Sequence, residues 1–239
     1  HDHDAARGRS CRAGARGRMA GPRPATNPAA YDAWYDTPRG RWIGEAEFRL
    51  LERLLAAQPG ETLLDVGCGT GWFTRRFAAT GMEVTGIDRD PDCLAFARAR
   101  PGPHIRYLPG DARHLPFPDH AFDRVISVTA LCFVNPWPQA LAEIARVSRM
   151  RFAVGLLHRR SALWLAKGRD GGRGAYAGAH WHTRGEVRDA LRALPVRNEH
   201  FGYAVLDPTA SAVAKALERF AAPRLPLGSF LAVGADVAR

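Results

Sequence analysis

Three aspartates, Asp65, Asp88 and Asp111, each close an apolar run and lie 23 residues apart in this 239-residue chain. Asp65 sits in Thr62-Leu63-Leu64-Asp65-Val66 and leads into Gly67-Cys68-Gly69-Thr70-Gly71-Trp72. A glycine-rich turn between a strand and a helix supplies positive φ and backbone approach too close for a Cβ. The free N–H groups and positive dipole end of such a helix suit a carboxylate or a phosphate. Asp88 follows Val84-Thr85-Gly86-Ile87, where a carboxylate takes both hydroxyls of a ribose. Asp111 stands in Pro109-Gly110-Asp111-Ala112. One such residue alone reads first as a helix cap or turn aspartate; three in register with a glycine turn read as a ligand edge. A nicotinamide loop is a poor fit, because Trp72 occupies the position of the last Gly or Ala. Asp65 at the strand tip also disfavours a pyrophosphate and favours a cationic amino group.

These side chains need a sheet to align them, and the pattern supplies one. Ile43, Phe48, Leu51, Leu54 and Leu55 fall at helical spacing before Pro59-Gly60 and predict a first helix. Strands follow at Thr62–Val66, Glu83–Ile87, His104–Leu108, Phe122–Val128 and Arg151–Leu157, with helices at Trp72–Ala79, Asp92–Arg100 and Pro138–Ser148 between them. Alternation of this kind gives βαβ units and a parallel sheet covered on both faces, with its ligands at the carboxyl edge of the strands. Beyond a glycine-rich insert at 159–182, Thr183 and Glu186 form a capping box for a helix to Leu194. A strand at Val196–Leu206, a helix at Ser211–Ala221 and a last strand at Ser229–Val237 complete the pattern.

Composition sets the outer bounds. Hydrophobic residues are 46% and charged residues 24% of the chain, enough for one α/β domain with a sizeable core. The net charge of +10 raises nucleic acid as a partner. Residues 1–24 alone carry six Arg and two Asp, however, and only Lys167 and Lys215 are lysine, a pattern of scattered surface arginine. Cys11, Cys68, Cys93 and Cys132 form no CxxC pair and no zinc spacing, which predicts reduced thiols, no metal and a cytoplasmic setting. No apolar stretch reaches the roughly 20 residues of a membrane span, and the first residues show no signal-peptide core. Residues 1–26, rich in Arg, Gly and Pro, are expected to be a disordered tail. Met19 is a candidate start that would leave 1–18 outside the native protein.

With these elements in place the sequence resembles the class I S-adenosylmethionine-dependent methyltransferases, and more narrowly their type 11 and ubiquinone/menaquinone-like small-molecule group. Asp65-Val66-Gly67-Cys68-Gly69-Thr70-Gly71 is similar to the first motif of that family, Ile87-Asp88 to its ribose-binding acid, and Gly110-Asp111-Ala112 to its adenine loop. Phe122-Asp123-Arg124-Val125-Ile126 matches the strand-four motif and Ala140–Val147 the helix after it. Arg149-Met150-Arg151 departs from the family, standing where a Pro-Gly-Gly turn is usual, so a tighter connection into strand five is expected. The resemblance implies a Rossmann-like, mostly parallel seven-stranded sheet with an antiparallel last strand and helices on both faces. It implies one domain over 27–239, an N-terminal cover at 27–58, and S-adenosylmethionine as cofactor with S-adenosylhomocysteine as product. Asp65 would sit near the methionine amino group, and Gly67, Cys68, Gly69 and Gly71 against its chain. Asp88 and Arg89 would hold the ribose, Asp111 and Ala112 the adenine, and Thr129 to Leu131 would border the methyl.

The acceptor side is less patterned. His158 at the end of strand five and His180 or His182 in the insert are candidate bases, each read alone being first a strand-end or cap residue. The insert, with Trp164, Tyr176 and Trp181 among glycines, is placed to be a substrate lid. Tyr31 and Tyr35 belong to an aromatic segment before the fold, and Tyr35 is expected to face the site. Tyr31, Tyr35, Leu131, His158 and Trp181 are thus the candidate substrate residues. The expected reaction is methyl transfer to a small-molecule acceptor. A nucleic-acid methyltransferase of the same fold is the rival enzyme; Ser127-Val128-Thr129-Ala130-Leu131 replaces the Pro-Pro element such base-methylating enzymes carry after strand four. A non-catalytic cofactor-binding regulator is the rival outside catalysis.

Overall fold

A computed structural model describes residues 27–100, 102, 105–209, 211, 214, 216, 218 and 225–238. The expected tail at 1–26 and most of the expected helix at Ser211–Ala221 lie outside the described residues.

Seven strands, β1 (Thr62–Val66), β2 (Glu83–Asp88), β3 (Arg106–Pro109), β4 (Phe122–Val128), β5 (Ser148–Leu157), β6 (Val196–Ala204) and β7 (Phe230–Val237), form one sheet in the order β3-β2-β1-β4-β5-β7-β6. The first five are mutually parallel, and β7 runs antiparallel between β5 and β6. The mostly parallel sheet with an antiparallel last strand is therefore as expected. Both faces are buried, and neighbouring residues of one strand serve opposite layers. Leu64, Val125 and Phe152 join one core cluster, whereas Leu63, Ile126 and Ala153 join the other. This two-sided burial explains why the strands read as unbroken apolar runs.

Among the described residues, helices α1 (Pro28–Trp34), α2 (Pro38–Leu55), α3 (Trp72–Ala79), α4 (Pro91–Ala99), α5 (Trp137–Val147) and α6 (Arg184–Arg192) flank the sheet. The region before β1 folds as two helices where one was expected. Thr37 and Pro38 cause the break: the Thr37 side chain accepts from Gly40 N–H as an N-cap, and proline starts the new helix. All five residues expected to be buried on α2 are buried. The α6 capping box forms as expected, with Thr183 and Glu186 each bonding the other's backbone N–H.

Two boundaries are corrected. Strand β3 is Arg106–Pro109, not His104–Leu108, because its pairing with β2 begins only at Thr85 opposite Arg106; His104 lies outside the described residues. Strand β5 begins at Ser148, directly after α5, three residues earlier than expected. In place of a turn, Arg149 binds the Asp123 carboxylate, and Arg151 binds Asp236 and the Leu54 carbonyl. Charged contacts from the strand itself thus hold the edge that a glycine turn holds in the resembling family.

Candidate active site

Site geometry begins at the turn after β1. Gly67, Gly69 and Gly71 all have left-handed φ (76°, 53° and 78°). A Cβ on Gly69 would meet nothing within 4 Å, so this backbone lines an open cradle. Gly67 and Cys68 donate their N–H groups to the Ile87 carbonyl at 2.8 and 3.1 Å, tying the turn to β2. Asp88 completes the clamp: its Oδ2 accepts from Gly69 N–H and its Oδ1 from Asp90 N–H, both at 2.8 Å. Burial raises the Asp88 carboxyl and the two N–H donors draw it back. Helix α3 starts with Gly71 at its cap and no side-chain cap bond, leaving its first N–H groups for another acceptor.

Asp65 is buried and accepts a 2.6 Å hydrogen bond from the Thr74 hydroxyl. Desolvation, opposed by that bond and reinforced by Asp88, pushes its carboxyl up to about 7. The Thr70 hydroxyl is buried without a hydrogen-bond partner among the described residues. Tyr31, Tyr35, Asp65, Thr70, Trp72 and Val128 line a cavity of about 40 Å³. Open glycine backbone, an orphaned hydroxyl and a carboxylate short of a cation together fit the polar methionine end of S-adenosylmethionine.

Tyr31 and Tyr35, ahead of α2, line one side of this cavity. Tyr35 stacks on Trp72 with centroids 4.3 Å apart and planes 17° from parallel, and its hydroxyl meets that of Tyr31 at 3.3 Å. Only glycine is accommodated at position 44, where a Cβ would come within 2.8 Å of the Trp72 ring and 2.9 Å of the Tyr35 ring. Buried Asp32 binds Arg75 of α3 at 2.9 Å and Arg100 beyond α4 at 3.0 Å, pinning α1 down.

Other sequence-predicted residues divide. Asp111 stands at the tip of β3 and is gripped by Arg113, whose Nη2 approaches to 2.6 Å; this pair holds the carboxyl down at about 2. Ala112 is half-buried beside it, and Arg89 is exposed. Thr129 leaves β4 at a left-handed φ of 56°, unusual for a β-branched residue, with its N–H on the Gly155 carbonyl at 2.8 Å. Leu131 and Trp181 are buried in the core. His158 is buried, with Nδ1 donating to the Gly228 carbonyl at 2.9 Å, and burial lowers its basicity. His182 is fully buried against Trp137, neither ring nitrogen has a hydrogen-bond partner among the described residues, and desolvation pushes it down to about 3. A bridge between His158 and His182 fastens both ends of the insert to the sheet. Of the insert's aromatic residues, Trp181 is buried in the core, and Trp164 and Tyr176 are half-buried against it.

Glu47 of α2 was missed by sequence reading. Its carboxyl has no hydrogen bond or ion pair among the described residues, yet burial and the neighbouring Glu218 push it up to about 8. The signal was present: Ile43, Glu47 and Leu51 form an i, i+4, i+8 row on the inward stripe, where an acid breaks the apolar pattern.

Comparison with known proteins agrees with this arrangement. The family described as "Methyltransferase domain" matches residues 64–151, from β1 into β5. The malonyl-[acyl-carrier protein] O-methyltransferase of Serratia marcescens is 45% identical over 101 residues, 41% of this chain and 39% of that protein. The demethylmenaquinone methyltransferase of Renibacterium salmoninarum is 38% identical over 101 residues, 42% of each chain. The chain thus spans about two fifths of the length of these curated relatives. Among solved structures, a SAM-dependent methyltransferase of Thermotoga maritima, described as a possible histamine N-methyltransferase, superposes with a TM-score of 0.69. That similarity covers 87% of this chain and 94% of the other at 22% identity, and it speaks for the fold.

Proposed function

We propose that this chain, whose residues 64–151 belong to the methyltransferase-domain family, transfers a methyl group from S-adenosylmethionine to a small-molecule acceptor. When bound, the cofactor supplies a sulfonium-activated methyl, so the protein's task is to hold donor and nucleophile in line. Positioning of that kind contributes roughly 7–11 kcal/mol toward the barrier. Asp65 takes the methionine ammonium, the N–H groups at the start of α3 take its carboxylate, and the open backbone at Gly69 lies along the chain. Asp88 keeps lone pairs free for both ribose hydroxyls while its bonds to Gly69 and Asp90 fix its orientation. Asp111, kept ionised by Arg113, accepts from the adenine amine. Thr129, at the tip of β4, borders the methyl, and residues 27–58 close over it. Free, buried Cys68 and Cys132 are in keeping with a reducing, cytoplasmic setting.

The observation that carries this reading is the coupling of the glycine turn to Asp88 at the carboxyl edge, since one carboxylate there shapes the loop and receives the ribose. Calorimetric titration of S-adenosylhomocysteine tests it. The wild type is expected to bind in the micromolar range, and Asp88→Ala to bind about tenfold more weakly through loss of charge-assisted hydrogen bonds. A folded wild type that does not bind, or an Asp88→Ala protein that binds equally well, refutes the assignment.

A further inference from the structure

Asp111 has little freedom at the tip of β3, and one neighbour accounts for most of that. Its Oδ1 accepts from the Arg113 backbone N–H at 2.9 Å and from Arg113 Nε at 3.0 Å, while its Oδ2 accepts from Nη2 at 2.6 Å. The Asp111 carbonyl closes the same turn by accepting from His114 N–H at 3.0 Å. Arg113 is itself held from the far side. Its Nη1 donates to the Asn135 carbonyl at 3.0 Å, and its own carbonyl accepts from Gln139 Nε2 of α5 at 3.2 Å. Asn135 lies just beyond the 3-10 turn Ala130–Phe133, which follows Thr129. The rest of the connection from β3 to β4 is fastened to α5 as well. Leu115 N–H donates to Glu143 Oε2 at 2.7 Å, and Arg146 donates to the Leu115 and Phe117 carbonyls. Asp111 thus takes its orientation from α5 and the chain ahead of it, through a planar guanidinium that grips the carboxylate with two nitrogens.

We infer that Arg113 is a positioning residue that makes this site select a 6-aminopurine over a 6-oxopurine. The inference rests on the reading of Asp111 as the acceptor for the adenine amine, and it adds the residue that makes that acceptor selective. A carboxylate offers roughly four lone-pair sites, and the donors of Arg113 occupy three of them. What remains accepts from one direction. An exocyclic amine placed there donates to it, whereas a 6-oxo group meets it oxygen to oxygen. A carboxylate free to turn would lose this distinction, because a 6-oxopurine carries a proton on N1 that a reoriented Asp111 accepts. Charge alone does not give the effect. Asp111 is 36% exposed, so water screens a nearby point cation, while paired hydrogen bonds from a rigid fork still fix a direction. Lysine is therefore no substitute for Arg113, since it lacks both the fork and the second arm that reaches Asn135.

Calorimetric titration of S-adenosylhomocysteine and S-inosylhomocysteine into the full chain tests the inference, with wild type, Arg113→Lys and Arg113→Gln compared. The Arg113 side chain is 32% exposed, so both variants are expected to fold. The wild type should bind the adenosyl compound at least about 30-fold more tightly, a partly solvated form of the discrimination a hydrogen-bonding site imposes. In both variants the ratio should fall to about threefold or less, because the adenosyl compound loses its oriented acceptor while the inosyl compound holds or gains affinity. A merely structural role would weaken both compounds alike, and that result overturns the inference. So does a full preference retained in Arg113→Lys, which would mean that charge suffices. Asp111→Asn, which replaces an acceptor with a group that also donates, should erase the preference with Arg113 untouched; a preference that persists there removes the premise and overturns the inference too. A folded wild type that binds neither compound overturns it together with the cofactor reading, whereas one that binds both equally overturns the selection alone.

Discussion

Asp65→Asn should melt at a higher temperature than the wild type at pH 8 while binding S-adenosylhomocysteine about 30-fold more weakly. The carboxyl is 1% exposed, its one side-chain partner is neutral Thr74, and it is held near 7 against 3.8 for the free group. The folded protein therefore holds this proton more tightly than the unfolded chain does. Stability contributed by the protonated form is complete below about pH 4, falls as pH rises toward 7, and is level above it. A difference of about three pH units corresponds to at most about 4 kcal/mol. Asparagine keeps an acceptor for Thr74 and removes the charge, so about 2–4 kcal/mol should be regained, or about 5–10 °C in a chain of this size. The gain should shrink steadily toward pH 5, which scanning calorimetry at several pH values reads directly. A variant less stable than wild type at pH 8 would mean that Asp65 has a cationic partner within the protein, and its role toward the ammonium would fall.

This conflict between stability and binding also explains what was legible in the sequence. Asp65, Asp88 and Asp111 were readable because a parallel sheet puts strand tips on one edge, and a 23-residue interval is one βαβ step. The roles of strands β1, β2 and β4 and of α3 followed from apolar runs closed by glycine, and their limits agree with the structure to within a residue. The acceptor side was harder because it is assembled from α1, α2 and the insert, whose contacts depend on tertiary placement. His182 and Trp181 read as a candidate base and a candidate substrate residue in a glycine-rich insert, yet the bridge to His158 draws them beneath the surface. Glycine content reports local freedom and says nothing of which neighbouring side chain the fold pulls inward. Glu47 was the converse case, an acid concealed within a regular apolar row.

Asp32→Ala should accelerate both association and dissociation of S-adenosylhomocysteine by about 30-fold, with a much smaller change in Kd. The cavity beneath Tyr31 and Tyr35 measures about 40 Å³, space for a few waters and less than an amino-acid chain fills. Seating the methionine end beneath Tyr31 and Tyr35 is expected to require α1 to swing away, so that the fraction of open molecules sets the association rate. Asp32 is 6% exposed and holds two guanidinium groups, of which Arg100 is the more solvated. Discounting for that exposure, removal of the carboxylate should favour opening by about 2 kcal/mol, equivalent to about 30-fold. If the cover re-closes over the ligand, the same contact is absent from free and bound states, so the rates shift together and the affinity hardly moves. Stopped-flow fluorescence of Trp72, which the Tyr35 ring covers at 4.3 Å, would follow the motion. A tightened Kd with unchanged dissociation would show that the cover stays open over bound cofactor. Unchanged rates in both directions would show that the cofactor reaches its site without displacing α1 at all.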